Sequence, residues 1–170
     1  MDRPTRARRP RWSYAIPWAG RVPELTPRQW SLLGLLGAAE LFDQYDVGIL
    51  GLALKQIQEG LGIPESQIGP VTAVARLGVL PAFALTVLAD RLGRRRLLLA
   101  TIVGLTLSTF ATAFAQDAVQ FMALQFVARS FIYAETMLAV VVLAEELDAA
   151  ERGWGIGMLG ALGALGHGLA

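Results

Sequence analysis

Glu40, Asp43 and Asp46 stand three residues apart inside an otherwise apolar run. Arg76 lies within a second such run, and Arg129 and Glu135 share another. Ionisable side chains in runs of this kind are costly, and by default they mark a functional pathway. Removal from water favours the neutral form of a carboxyl group, whereas a neighbouring arginine favours the charged form. An acid so placed can take a proton from one side of a membrane and release it on the other. Asp43 is the first choice for that carrier and Asp46 the second, with Arg129 as partner. Arg76 is either a structural partner for a first-run acid or a contact for an anionic substrate. The i, i+3, i+6 spacing of the three acids makes them drift slowly around one side of a helix.

Other chemistries lack the residues they need. There are no cysteines and one histidine, His167, so disulfides, thiolate metal sites and multi-histidine metal sites are excluded. No nucleophile–histidine–acid arrangement is present, and His167 alone is a poor basis for an enzyme. It is read as an ordinary helix-borne side chain. Neither an enzyme activity nor a resident cofactor is expected, beyond a coupling proton.

The elements that must hold these residues are helices of membrane length. Hydrophobic residues make up 54% of the 170, with a mean hydropathy of +0.48. The apolar runs cover 30–54, 67–89, 97–116 and 119–144, with a fifth begun at 153–170. About 20 apolar residues cross a hydrocarbon core of about 30 Å. The first run opens on Thr26-Pro27, a cap followed by a proline suited to a first helical turn. Its three acids cost about 9 kcal/mol together on the insertion scale, and its leucines and other large apolar residues return only about 5. Protein or water must therefore cover its acidic side. Gly60, Gly62 and Pro64 are expected to break the helix in an external loop over 55–67. The 97–116 run has no charge and should serve packing alone. The glycine-rich last run permits close helix contact.

Charge sets the orientation. Of the fifteen Lys and Arg, twelve lie in the first thirty residues, in the 86–96 link, or at Arg152. Lys55 lies on the opposite side. This bias places the amino terminus in the cytoplasm, the inner membrane of a bacterium being the expected home. Residues 1–29 are basic and proline-rich, and are read as a disordered arm lying against anionic headgroups rather than nucleic acid. Trp12, Tyr14 and Trp18 are placed at headgroup level.

The link itself, Leu88-Ala89-Asp90-Arg91-Leu92-Gly93-Arg94-Arg95, resembles the signature loop between the second and third helices of the major facilitator superfamily of transporters. Thr86 stands where the family pattern opens with glycine. Phe42-Asp43-Gln44-Tyr45-Asp46 resembles the first-helix pattern of the aromatic-acid/proton symporters, with Gln44 in place of a glycine. Arg129 matches a fourth-helix arginine, although Tyr133 replaces the glycine four residues on. Glu145, Arg152 and Gly153 match the link between helices four and five, with Asp148 at a frequent proline position.

The resemblance implies an all-α membrane bundle. Members normally have twelve helices in two halves, with substrate near the midplane between inverted repeats. The chain would then be an amino-terminal fragment holding four complete spans and the start of a fifth. The implied function is secondary transport of a small organic solute (an organic or aromatic acid, a sugar or a related metabolite) by proton-coupled alternating access. Asp90, Arg91, Gly93, Arg94 and Arg95 would steady one transport state against the carboxyl half. Without that half, the fragment should not transport. A non-transporting membrane scaffold or receptor that keeps the same helices is the alternative.

Overall fold

The computed structural model describes residues 22–170, except for the side chains of Ile68 and Val71. Of the basic arm read over 1–29, residues 1–21, with the headgroup aromatics, lie outside the described residues; its last stretch is ordered rather than disordered, with Val22 and Leu25 buried and α1 already begun at Pro27. Among those residues there are six helices and no strand: α1 Pro27–Leu61, α2 Glu65–Arg76, α3 Val79–Leu92, α4 Arg94–Thr112, α5 Ala118–Glu146 and α6 Ala149–Leu169.

The start of α1 is fixed by a reciprocal cap. The Gln29 amide N–H donates to Thr26 Oγ1 at 3.3 Å, and the Thr26 N–H donates to Gln29 Oε1 at 2.9 Å. Two otherwise orphaned donors are thereby satisfied, with Pro27 in the first turn where no N–H is needed. At its other end α1 continues past the expected end at residue 54 and through Gly60, so residues 55–61 of the expected external loop are helical. The break comes at Gly62, whose φ of +61° suits glycine. There the Ile63 N–H donates to the Gln58 carbonyl at 2.9 Å, a six-residue closure that ends the helix.

The second apolar run is two helices rather than one. Leu77 and Gly78 separate α2 from α3. Pro81 has no N–H to return to the Leu77 carbonyl, which loosens the ladder at that point. The link between α3 and α4 is a single residue. Gly93, at φ +90° and ψ 127°, turns the chain, and Arg94, Arg95 and Arg96 already form the first turn of α4. The link between α5 and α6 is also short, so α6 begins at Ala149 rather than at Gly153.

Among the described residues, two stretches, Glu65–Leu92 and Ala118–Glu146, are long and apolar enough to cross a membrane, by length and composition. The acids of α1 and the three arginines that open α4 dilute those two helices.

The chain forms two compact units. One is Met1–Gly48 with Val140–Ala170, the other Ile49–Ala139. In the first, α1 and α6 lie side by side in the same direction. Trp30 meets Trp154 edge-to-face at 5.8 Å, Gly37 faces Leu162, and Gly166 faces Leu41. Arg28 pairs with Glu146 at 3.2 Å, while Gln29 Nε2 donates to the Glu146 carbonyl at 2.7 Å. In the second unit, Ala89, Leu97 and Leu138 form a buried cluster with Leu85 and Leu98 against it. Gly78 lets α3 approach α5 closely: an added Cβ would lie 2.9 Å from the Phe126 carbonyl oxygen and from the Ser130 nitrogen. Thr86 Oγ1 donates to the Ala82 carbonyl at 2.9 Å and lies 3.6 Å from Met137 Sδ. Threonine thus fits where the family pattern has glycine.

Candidate transport site on helix α1

Two of the three α1 acids are buried. Glu40 is 7% exposed and Asp43 is 8% exposed. Asp46 is exposed. Each step of three residues falls about 60° short of a full helical turn, so the third acid lies about 120° round from the first. The slow drift expected from the spacing is therefore enough to separate the acids into two environments.

Glu40 sits in a seat made by α6 and by its own helix. Gln44, one turn on, donates from Nε2 to Glu40 Oε1 at 3.0 Å. A Cβ placed on Gly163 would lie 3.2 Å from the same oxygen and 3.1 Å from Glu40 Cγ. On Gly166 it would overlap the Leu41 carbonyl. Glycine at these two positions brings the α6 backbone against the acidic stretch of α1, so the carboxyl group is covered by main chain. Further along, His167 is exposed, and its carbonyl oxygen lies 3.2 Å from where a Cβ on Gly48 would be.

The other ionisable residues have different settings. Glu135, 3% exposed, is enclosed on α5, while Arg129 is half-buried on the same helix. Arg76 is exposed at the last residue of α2. Its position at a helix carboxyl end, beside a break, gives its charge the favourable end of the helix dipole.

The motif links are partly exposed, with Ala89 and Leu147 buried and Arg94 mostly covered. Arg94 Nη2 and Asp90 Oδ1 lie 3.2 Å apart, one turn from each other across Gly93. Arg91 and Arg95 are exposed. At the α5–α6 link, Glu145 and Gly153 are exposed, and the Arg152 guanidinium donates to the Leu147 carbonyl at 3.5 Å. That carbonyl belongs to the turn just after α5, where the helix ladder supplies no donor.

Sequence reasoning missed Gln44 as a partner of Glu40. The i, i+4 spacing was the available signal. It also left Gly163 and Gly166 as general packing residues. Their role as the seat for Glu40 depends on which helix faces α6.

Comparison with known proteins identifies the family. A family model described as the Major Facilitator Superfamily matches residues 36–170. The gallate transporter of Pseudomonas putida is 29% identical over 136 residues, covering 79% of this chain and 30% of that protein. The niacin transporter of Acinetobacter baylyi is 27% identical, covering 76% of this chain and 32% of its own length. The 4-hydroxybenzoate transporter of Pseudomonas aeruginosa is 30% identical, covering 71% and 27%. The chain thus spans about a third of the length of the curated relatives it matches. No solved structure matches it.

Proposed function

The chain belongs to the Major Facilitator Superfamily, whose members are integral membrane transport proteins rather than enzymes, and from that premise we propose that it supplies the amino-terminal part of a proton-coupled symporter of small aromatic acids. The observation that carries this reading is the burial of Glu40 and Asp43 on a helix of a membrane protein, with Glu40 packed against glycine backbone. Buried acids in such a helix are expensive to keep and by default mark a functional pathway, and binding and releasing a proton is the role proposed for them. The substrate class follows from three relatives named for gallate, niacin and 4-hydroxybenzoate. Arg129, half-buried on α5, is the cation offered to the substrate carboxylate, since a guanidinium binds that group with paired hydrogen bonds.

Energy supports coupling. Moving one negative charge inward against an inside-negative potential costs about 2.3 kcal/mol per 100 mV. A proton carried with the anion cancels that cost. Asp43 is assigned the proton, with Asp46 as second choice, and the signature link of Asp90, Arg91, Gly93, Arg94 and Arg95 is assigned to steadying one state of the cycle. Four spans and part of a fifth are assigned to this chain, with the amino terminus in the cytoplasm. The rest of a protein of the relatives' length completes the pathway, so the 170-residue chain by itself is expected not to transport.

The test is uptake of radiolabelled 4-hydroxybenzoate by the full-length protein in proteoliposomes with an imposed pH gradient. Asp43→Asn should abolish accumulation against a gradient while leaving exchange intact. Uphill accumulation at the wild-type level would remove Asp43 as the carrier.

A further inference from the structure

A groove of about 380 Å³ runs between α3 and α5, lined by Pro81, Ala84, Leu85 and Leu88 on one side and by Phe126 and Phe131, among others, on the other. Its lining is almost wholly apolar. The hydroxyl of Ser130, which also lines it, spends its proton on the Phe126 carbonyl at 2.7 Å, leaving an occupant only an acceptor oxygen. An apolar groove on a membrane helix can be filled by many things, but this one has a charged end. Pro81, Ala84 and Leu88 follow one another at three- and four-residue steps, and Arg91 is the next residue in that series. It lies about 4.5 Å farther along the helix. Arg95 and Arg96 follow across the one-residue turn.

Those guanidinium groups are available. Arg91, Arg95 and Arg96 are exposed, and none forms an ion pair among the described residues. Asp90, the one acid of the link, is engaged with Arg94. The arginines are therefore in excess of the link's one acid, and Arg91 continues the stripe that lines the groove.

We propose that this groove binds one anionic glycerophospholipid, with an acyl chain along Pro81–Leu88 and the phosphate held by Arg91 and Arg95. Basic pockets between membrane helices on the cytoplasmic side bind anionic headgroups in this way. A zwitterionic lipid would fill the groove equally well but would bring no net charge to the arginines. The site rests on the proposed membrane embedding with the arginine link at the cytoplasmic surface, and it takes Arg91 and Arg95 in the state of the cycle in which the link is released. Loss of transport with the lipid retained would count against the symporter reading and leave this site standing.

The test is native mass spectrometry of the full chain released from nanodiscs of phosphatidylglycerol or of phosphatidylcholine with matched acyl chains. Wild-type protein should keep one phosphatidylglycerol through a detergent wash and keep phosphatidylcholine at least tenfold less. The Arg91→Gln/Arg95→Gln double variant should lose the bound lipid at least tenfold. So should Ala84→Phe, which fills the groove from an exposed position and leaves every arginine in place. Circular dichroism should be unchanged in both. Equal retention of the two lipids would overturn the site, as would a phosphatidylglycerol signal that survives Ala84→Phe, because the arginines would then be acting without the groove.

Discussion

Replacing Gly166 with alanine tests whether α6 is seated on the acidic stretch of α1. The added Cβ would overlap the Leu41 carbonyl, which is backbone and cannot rotate away. The two helices must then separate, at a cost typical of inserting a methyl group into a packed site, about 1–3 kcal/mol. Alanine also gains about 1 kcal/mol over glycine as a helix former. Gly160, on the same helix, provides the control. It is exposed, nothing lies within 4 Å of its would-be Cβ, and Gly160→Ala gains the same propensity without the overlap. The difference between the variants therefore isolates the contact. It should amount to about 1–3 kcal/mol, or roughly 5- to 140-fold in the folding equilibrium. Unfolding in mild-detergent micelles with rising sodium dodecyl sulfate, followed by tryptophan fluorescence, reads it out. Midpoints that rank Gly166→Ala level with or above Gly160→Ala would refute the seating.

Gly93→Ala should destabilise the chain by about 1–3 kcal/mol in the same assay: nothing crowds the position, so the cost is that of holding alanine at φ +90°. Asp90→Asn should shift stability by no more than about 1 kcal/mol, since the Arg94 pair is largely exposed on the aspartate side. In the full-length protein the same change should lower uptake several-fold if the link steadies a transport state, and wild-type uptake would remove that role. Because the chain has no cysteine, single cysteines at Lys55 and Arg95 can be labelled with a membrane-impermeant maleimide. They should react from opposite faces, and labelling from the same face would overturn the topology.

Local signals in the sequence were legible where the physics is local. Thr26 announces the cap because its partner, Gln29, is within one turn. The turn at the signature link needs a residue tolerant of positive φ, and Gly93 is the glycine available there. The boundaries of the helices were less legible, for a reason visible at Gly60 and Pro81. Gly60 is tolerated inside α1 because the closure at Gly62 and Ile63 supplies a better stop two residues later. Pro81 loosens the ladder behind it, so the break appears at Leu77 and Gly78 rather than at the proline.

The candidate site sits between these cases. That α1 carries acids needing cover was readable from the cost of placing them in hydrocarbon, but not which acid would be covered. Spacing alone treats Glu40, Asp43 and Asp46 as a series, whereas packing separates them. Glu40 is enclosed because Gly163 and Gly166 let α6 come down on that side of α1, and Asp46 has turned away by about a third of a revolution. The glycine pattern of α6 and the acid pattern of α1 are two halves of one interface. Neither half identifies the other until the helices are known to be neighbours, so a change at Gly163 is expected to reach the environment of Glu40 without altering any ionisable residue.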